Sequence, residues 1–234
     1  MKKLAIFVEG GTEAAFFEKF LHQMISAKKL RIEYFRASGG SKGPRRIRMV
    51  KATAPDKNQT FYVQIVDSGT DNRVGSDVRD NYNSLVRAGF DSIIGVRDVF
   101  PSVSMKDISV LRRNLRYSLP TKPIVVVFIL AVMEVEAWFL SEYTHFPKIH
   151  PDLSIDRIKT ALGFDPSSDD MQLRNCPHQD LHNVYSLEGL SYLKKARQIE
   201  RTTDVLDYGR IYFDLPFKFP DLKLLVVSLD AFFS

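Results

Sequence analysis

Short apolar runs alternate with amphipathic segments in the first part of the chain. Residues 4–8 form a continuous apolar pentad, which is typical of a strand buried on both faces. An apolar stripe at helical spacing follows, with Thr12 as its predicted N-cap. The predicted strands are residues 4–8, 32–37, 61–66, 92–96 and 124–130, and the further predicted helices are 45–53, 76–88 (N-cap Ser76) and 106–117. This alternation predicts an α/β fold with a mostly parallel sheet flanked by helices.

The pattern changes from about residue 147 onward. Proline and glycine turn signals become frequent, and the predicted helices lie at residues 154–162, 187–199 and 222–233. We therefore interpret residues 1–146 as an α/β domain and residues 147–234 as a helical C-terminal extension packed on it.

Composition narrows the class of protein. The chain has 234 residues, of which 44% are hydrophobic, and its 17 Phe and 9 Tyr residues require a compact core to stay soluble. No apolar run approaches the roughly 20 residues of a membrane span, and the first residues do not resemble a signal peptide. The single cysteine, Cys176, agrees with a reducing compartment. We expect a cytoplasmic protein with no membrane partner.

Positive charge is concentrated in one segment. Nine lysines and arginines lie between Lys28 and Lys51, against the single acid Glu33. Such a segment is either a solvated surface or a patch that follows a phosphate backbone. The predicted nucleic-acid-binding residues are Lys42, Arg45, Arg46, Arg48 and Arg97; Lys42, Arg73 and Arg97 are also candidates for neutralising charge in a transition state.

Acidic residues follow four of the predicted strands: Glu9, Asp67, Asp98 and Glu134, with Glu136 two residues further on. The carboxyl ends of parallel strands meet at one sheet edge, where ligands bind in such folds. Carboxylates gathered there repel one another unless a hard cation such as Mg²⁺ or Mn²⁺ offsets them. Residues two apart on a helix face different ways, so Glu134 and Glu136 share a site only if their segment is extended or turns. Glu13 is interpreted as an acid that favours the helix N-terminus.

Two other groups of residues have structural interpretations. His178 and His182 have the spacing of ligands on one helix face, but Pro177 and the lack of a third ligand argue against zinc. A basic stretch from Tyr192 to Arg201 is interpreted either as a solvated helix or as part of a phosphate-binding surface. Trp138 is expected in the core.

The segment Val8-Glu9-Gly10-Gly11-Thr12-Glu13 resembles the glutamate turn of Toprim domains, the topoisomerase and primase fold shared with OLD-family nucleases. Residues 95–98 and 133–138 resemble segments of small bacterial Toprim-like proteins, and the resemblance spans roughly residues 3–142. It implies a Toprim/Rossmann-like sheet, metal-dependent phosphodiester cleavage, and an ATPase partner in phage defence or DNA processing. The resemblance carries over Glu9 directly and makes Asp98 the better match for the family's aspartate. Together with the acids at the strand ends, this predicts the catalytic residues Glu9, Asp98 and Glu136 and the metal ligands Glu9, Asp67, Asp98 and Glu134.

The sequence departs from the Toprim pattern at one point. The usual pair of aspartates separated by one residue is absent, because Asp67 and Asp98 each stand alone. Three functions therefore remain open. The first is a nuclease that uses Mg²⁺ or Mn²⁺ on DNA or RNA, the second is a non-catalytic module that binds nucleic acid or protein through a degenerate site, and the third is an enzyme acting on small phosphorylated substrates. The basic segment favours a polymer, and a homo-oligomer is left open.

Overall fold

A six-stranded sheet forms the centre of the protein. The computed structural model describes residues 1–40, 45–70, 72–99 and 103–234. The strands are β1 (Lys2–Val8), β2 (Leu30–Ser38), β3 (Arg46–Ala52), β4 (Phe61–Asp67), β5 (Ser92–Asp98) and β6 (Val126–Ala131). Their order is β3-β2-β4-β1-β5-β6, and every neighbouring pair is parallel except β2 and β3. The predicted α/β class with a mostly parallel sheet is confirmed.

Helices cover both faces of this sheet. They are α1 (Gly11–Met24), α2 (Val74–Arg87), α3 (Ile108–Arg116), α4 (Glu136–Ser141), α5 (Phe146–Ile149), α6 (Ile155–Leu162), α7 (Pro177–Ser186), α8 (Ala196–Val205), α9 (Tyr208–Phe213) and α10 (Pro220–Phe233). Helix α1 and the helices after residue 135 pack on one face, whereas α2 and α3 pack on the other. In the described ranges, none of the helices has the length and apolar character required to cross a membrane.

The prediction of a helix over residues 45–53 is wrong, because this segment forms β3 and pairs antiparallel with β2. Arg46, Ile47 and Arg48 alternate between exposed and partly buried positions, and Ile47 packs against the core on the α2 face. This period of two is the spacing of a strand. The ladder of hydrogen bonds to β2 therefore outweighs the local helix propensity.

The predicted helix over residues 187–199 is also wrong. Helix α8 begins only at Ala196, and the preceding segment is irregular, with Gly189 and Lys194 in the left-handed region at φ 68° and 52°. Such backbone conformations end a helix. The N-caps of two helices also differ from the predicted ones. The N-cap of α1 is Gly10 instead of Thr12, and that of α2 is Arg73 instead of Ser76.

The hydrophobic core on the α1 face joins the two parts of the chain. Phe16 has its ring centroid within 6.0 Å of those of Trp138, Phe139 and Tyr208, so α1 contacts both α4 and α9. Trp138 is fully buried, as predicted. Asp221 at the start of α10 accepts a hydrogen bond from the backbone N of Leu130 in β6 at 2.9 Å. The C-terminal helices thus complete the core on this face of the sheet. The predicted division of the chain at residue 146 stays a prediction.

Gly95 in β5 supplies a test of this packing. A Cβ added at Gly95 would lie 2.6 Å from the ring of Phe128 in β6, a distance that forces the ring or the strands to move. We expect Gly95→Ala to lower the free energy of unfolding by about 1–3 kcal/mol, measured by urea denaturation. Gly11→Ala is the control, because a Cβ at Gly11 meets no atom within 4 Å. Equal stability of both variants would contradict the close approach of Phe128.

Candidate functional site

Three strands of the sheet end around one acidic cavity. Glu9 directly follows β1, Asp98 is the last residue of β5, and Glu134 lies in the loop after β6. The cavity has a volume of about 310 Å³, and its lining includes these three acids together with Glu13 and Lys194. The carboxyl edge of the sheet therefore carries the acids close together, as the strand order requires.

Backbone hydrogen bonds hold the carboxylates of β1 and β5 in place. Oε1 of Glu9 accepts a hydrogen bond from the backbone N of Asp98 at 2.8 Å. Oδ1 of Asp98 accepts one from the backbone N of Val135 at 3.2 Å. Glu9 and Asp98 are 7% and 5% exposed. These bonds connect β1 to β5 and β5 to the loop after β6, so the acids are preorganised by the sheet edge itself.

The segment after β6 turns sharply and brings Glu134 and Glu136 to the same place. Met133 adopts φ 66°, a left-handed conformation that costs a non-glycine residue roughly 1–2 kcal/mol. Oxygen atoms of Asp98, Glu134 and Glu136 all lie within 4.8 Å of one another. Glu136 is fully buried, at the first position of α4. The turn satisfies the condition under which both glutamates share a site.

Lys194 extends into this acidic group. Its Nζ lies 3.1 Å from Oε1 of Glu136 and 3.5 Å from Oε1 of Glu134. The hydroxyl of Tyr192 donates a second hydrogen bond to Glu136 Oε1 at 3.0 Å. Sequence reasoning assigned Lys194 to a basic surface helix. No local pattern indicates its partners, because 58 residues separate it from Glu136.

Burial decides the electrostatics of the group. Burial raises the pKa of Asp98 well above its usual range, and the neighbouring charges of Glu13, Glu9 and Glu136 raise it further. Burial likewise raises the pKa of Glu136, while Lys194 offsets part of this effect. For Lys194 itself, burial lowers the pKa, but the surrounding carboxylates raise it overall. One ammonium therefore compensates the carboxylates only partly, and a divalent cation would favour their charged forms.

Glu13 belongs to the same site. Its Oε2 accepts a hydrogen bond from the backbone N of Gly10 at 3.0 Å, as in a helix N-terminal capping box. Burial and the charge of Glu136 raise the pKa of Glu13 to about 7. The sequence interpretation as a helix-start acid is incomplete, since the side chain also lines the cavity.

Asp67 ends its strand beside β1 but is not part of the carboxylate group. Its Cα pairs in register with Val8, yet its Oδ2 lies 3.1 Å from Nε of Arg36, the residue opposite it on β2. Its Oδ1 accepts a hydrogen bond from the backbone N of Gly69. Asp67 lines a separate cavity between α1 and β2. The structure therefore assigns it a pairing with Arg36, whereas its predicted role as a metal ligand has no support from this geometry.

The basic residues fall into different environments. Arg45 forms an ion pair with Asp77 at 2.8 Å and donates to Ser68 O, and buried Arg97 donates to Asn72 Oδ1 at 2.9 Å. Both arginines stabilise the loops beside the cavity. Arg46, Arg48 and Arg73 are exposed, and Lys42 lies outside the described residues. The surface available for a phosphate backbone is therefore smaller than the sequence predicts.

His178 has partners that sequence spacing does not reveal. Its Nδ1 lies 2.7 Å from Oε1 of Glu134, and Sγ of Cys176 lies 3.6 Å from the same Nδ1. His182 instead accepts a hydrogen bond from the backbone N of Tyr192 at Nδ1. The two histidines do not form a pair of ligands, but His178 does join a group with Cys176 and Glu134.

Comparisons with known proteins leave the function open. No family model matches the chain, and neither does any curated protein. The chain is similar to the crystal structure of hypothetical protein PH0156 from Pyrococcus horikoshii OT3, with 14% identity, a TM-score of 0.43 and coverage of 97% of this chain and 95% of that one. A structure titled "the putative cell surface hydrolase from Lactobacillus plantarum WCFS1" has 9% identity, a TM-score of 0.28 and coverage of 80% and 63%. Similarities this low carry no argument about function.

The raised pKa of Glu13 predicts how stability depends on pH. Because the folded protein holds this proton up to about pH 7 instead of 4.5, the resulting stabilisation is complete at low pH and is lost as pH rises through 7. Glu13→Gln has no such proton to lose and keeps an oxygen that accepts from Gly10. We compare the two proteins in the presence of chelator. Between pH 5 and pH 8, the free energy of unfolding of wild type should fall relative to that of Glu13→Gln by about 1 kcal/mol or more.

Denaturant unfolding at several pH values measures this difference. Glu18→Gln is the control, since Glu18 lies on the same helix but pairs with Lys51. An equal rise in Glu18→Gln would show that net charge, not the buried group, causes the effect. If the difference in unfolding free energy between wild type and Glu13→Gln is the same at pH 5 and pH 8, then Glu13 is already ionised at pH 5.

Proposed function

We propose that this protein is a phosphodiester hydrolase that uses Mg²⁺ or Mn²⁺ to cleave nucleic acid. The observation that supports this most is the group of three buried carboxylates, Asp98, Glu134 and Glu136, whose oxygens lie within 4.8 Å of one another. Buried like charges at such distances are costly without a cation. Oxygen-only donors are the ligands that Mg²⁺ and Mn²⁺ prefer.

The residues around the group have complementary roles in this proposal. Asp98, Glu134 and Glu136 would hold the ion. Glu9 lines the same cavity, is anchored by the backbone N of Asp98, and would add its negative charge to the ion's surroundings. The bound ion supplies Lewis acidity and lowers the pKa of water. Glu13, which lines the same cavity, would accept a proton from the attacking water. The predicted catalytic set of Glu9, Asp98 and Glu136 is thereby extended by one base.

Lys194 and the start of α1 are suited to the phosphate group. The Lys194 side chain reaches the carboxylates from the extension, is 35% exposed and lines the cavity that a substrate would enter. It would stabilise negative charge that develops on phosphate oxygens. Gly10 and Gly11 begin α1 at the cavity wall, and the N-terminus of a helix attracts phosphate.

A polymeric substrate is favoured by the edge strand. Arg46 and Arg48 are exposed on β3, and the whole chain has a net charge of +5. Exposed arginines on an extended strand bind a phosphate backbone without sequence preference. The resemblance to Toprim nucleases extends the proposal to an ATPase partner in phage defence or DNA processing.

A second candidate function is a non-catalytic module that binds nucleic acid or protein. Lys194 favours it, because its ammonium lies 3.1 Å from Glu136 and supplies a positive charge within the carboxylate group. The pairing of Asp67 with Arg36 also favours it, since that acid does not lie in the group formed by Asp98, Glu134 and Glu136. In such a module Lys194 would replace the metal permanently.

Substitution at Glu9 tests catalysis. Glu9→Gln keeps an oxygen that accepts from the backbone N of Asp98 but removes the charge, so we expect Mg²⁺-dependent cleavage to fall by about 10²-fold or more while the fold persists. Asp67→Asn is the matched control and should retain cleavage, because its carboxylate pairs with Arg36. The assay measures cleavage of mixed DNA and RNA with Mg²⁺, Mn²⁺ or chelator.

The outcomes separate the two functions. Near-normal cleavage by Glu9→Gln would remove Glu9 from the mechanism. Equal losses in Glu9→Gln and Asp67→Asn would place Asp67 in the site despite its pairing. Metal-independent binding without cleavage, unchanged in both variants, would support the non-catalytic module.

A change of salt dependence tests the nucleic-acid surface. Replacing Arg46 and Arg48 with Ala should reduce the slope of log Kd against log salt concentration by roughly 1.4–1.8, because two fewer phosphates are neutralised. Replacing Arg113 and Arg116, which are exposed on α3, removes the same charge from the opposite face of the sheet. Fluorescence anisotropy with labelled oligonucleotides measures both slopes. Equal slopes in the two double variants would exclude β3 as the binding surface.

A further inference from the structure

A second group of metal-ligating side chains lies beside the carboxylates. Glu134, Cys176 and His178 each bring one ligand atom within 4.8 Å of the others. Cys176 is the N-cap of α7 and His178 lies in the first turn of this helix, so the helix start holds both side chains toward the loop after β6. The backbone N of His178 donates to Oε2 of Glu134 at 2.9 Å and joins the two elements.

We propose that Glu134, Cys176 and His178 form a transition-metal site for Zn²⁺ or an ion of similar ligand preference. A thiolate, an imidazole and a carboxylate are the ligand types of zinc sites with three protein ligands and one open position. Mg²⁺ and Ca²⁺ avoid sulfur and nitrogen ligands, so the group selects against the hard ions. The site shares Glu134 with the oxygen-only group, but its test does not depend on phosphodiester cleavage.

The distances fit such an ion after a small movement. A tetrahedral ion at about 2.3 Å from sulfur and about 2.1 Å from nitrogen separates these ligand atoms by about 3.6 Å. Cys176 Sγ and His178 Nδ1 are 3.6 Å apart. The corresponding separation for nitrogen and oxygen is about 3.4 Å, whereas His178 Nδ1 and Glu134 Oε1 are 2.7 Å apart. The His178 side chain is 36% exposed, so it has room to move outward until its Nδ1 reaches the longer separation from Glu134 Oε1.

Glu134 belongs to both ligand groups. It joins Asp98 and Glu136 in an oxygen-only set, and it joins Cys176 and His178 in a mixed set. One carboxylate shared in this way places two ions of different hardness next to each other, as in two-metal sites where the ions are about 3.5–4 Å apart.

Binding of Co²⁺ to the reduced protein tests the proposal. Thiolate ligation produces a charge-transfer absorption band, and Zn²⁺ should displace Co²⁺ and remove it. We expect the band in wild type and its loss in Cys176→Ser. Affinity for Co²⁺ should fall by about tenfold or more in His178→Ala and Glu134→Gln, because each removes one ligand.

Two controls restrict the signal to this group. Asp98→Asn alters only the oxygen-only set and should leave the band in place. His150→Ala should also leave it in place, although His150 belongs to another group with Asp152 and Glu188. Circular dichroism of each variant establishes that it is folded.

Alkylation of Cys176 by iodoacetamide provides a measurement on the wild type alone. Zn²⁺ should slow the reaction about tenfold or more, and Mg²⁺ should leave its rate unchanged. Absence of the band together with an unchanged alkylation rate would overturn the proposal. A band that persists with equal affinity in His178→Ala and Glu134→Gln would overturn it as well, because the thiol would then bind alone. Absence of Mg²⁺-dependent cleavage by the wild type, with the band present, would contradict the proposed function and leave this site standing.

Discussion

The burial of several carboxylates at one sheet edge is the constraint on which the site depends. Glu9, Glu13, Asp98, Glu134 and Glu136 are each no more than 7% exposed. Desolvation and mutual repulsion raise the pKa of Asp98, Glu13 and Glu136. Such a group persists only where backbone donors, a cation or protons compensate it. The backbone N–H groups of Asp98 and Val135 are such donors, and the ammonium of Lys194 supplies part of the positive charge.

The C-terminal extension is part of the site and not merely a cover for the sheet. Lys194 precedes α8, while Cys176 and His178 begin α7. All three reach Glu134 or its neighbours from outside the N-terminal α/β unit. The hydrophobic contacts of Phe16 with α4 and α9 hold these elements against α1. The packed extension supplies part of the site, so loosening the core would disturb the ligand geometry.

The arrangement combines strain with ligand placement. Met133 and Lys194 both adopt left-handed backbone conformations that are unfavourable for residues with a Cβ. Met133 aims Glu134 at the cavity, and Lys194 aims its own ammonium at Glu136. Strain of this kind persists where the surrounding structure determines the geometry, and it concentrates at functional sites. The oxygen-only group and the mixed group meet at Glu134, and we propose a different class of ion for each.

The sequence by itself determined the α/β class, the burial of β1 and the placement of acids at strand ends, because these follow from local periodicity and the direction of parallel strands. It did not determine β3, whose ladder with β2 outweighs local propensity, nor the irregular segment before α8. Tertiary structure alone decided that Arg36 pairs with Asp67 and that Lys194, Cys176 and His178 meet Glu134. These contacts join residues 31 to 60 positions apart along the chain, and side-chain pairing over such separations depends on packing that no local pattern encodes.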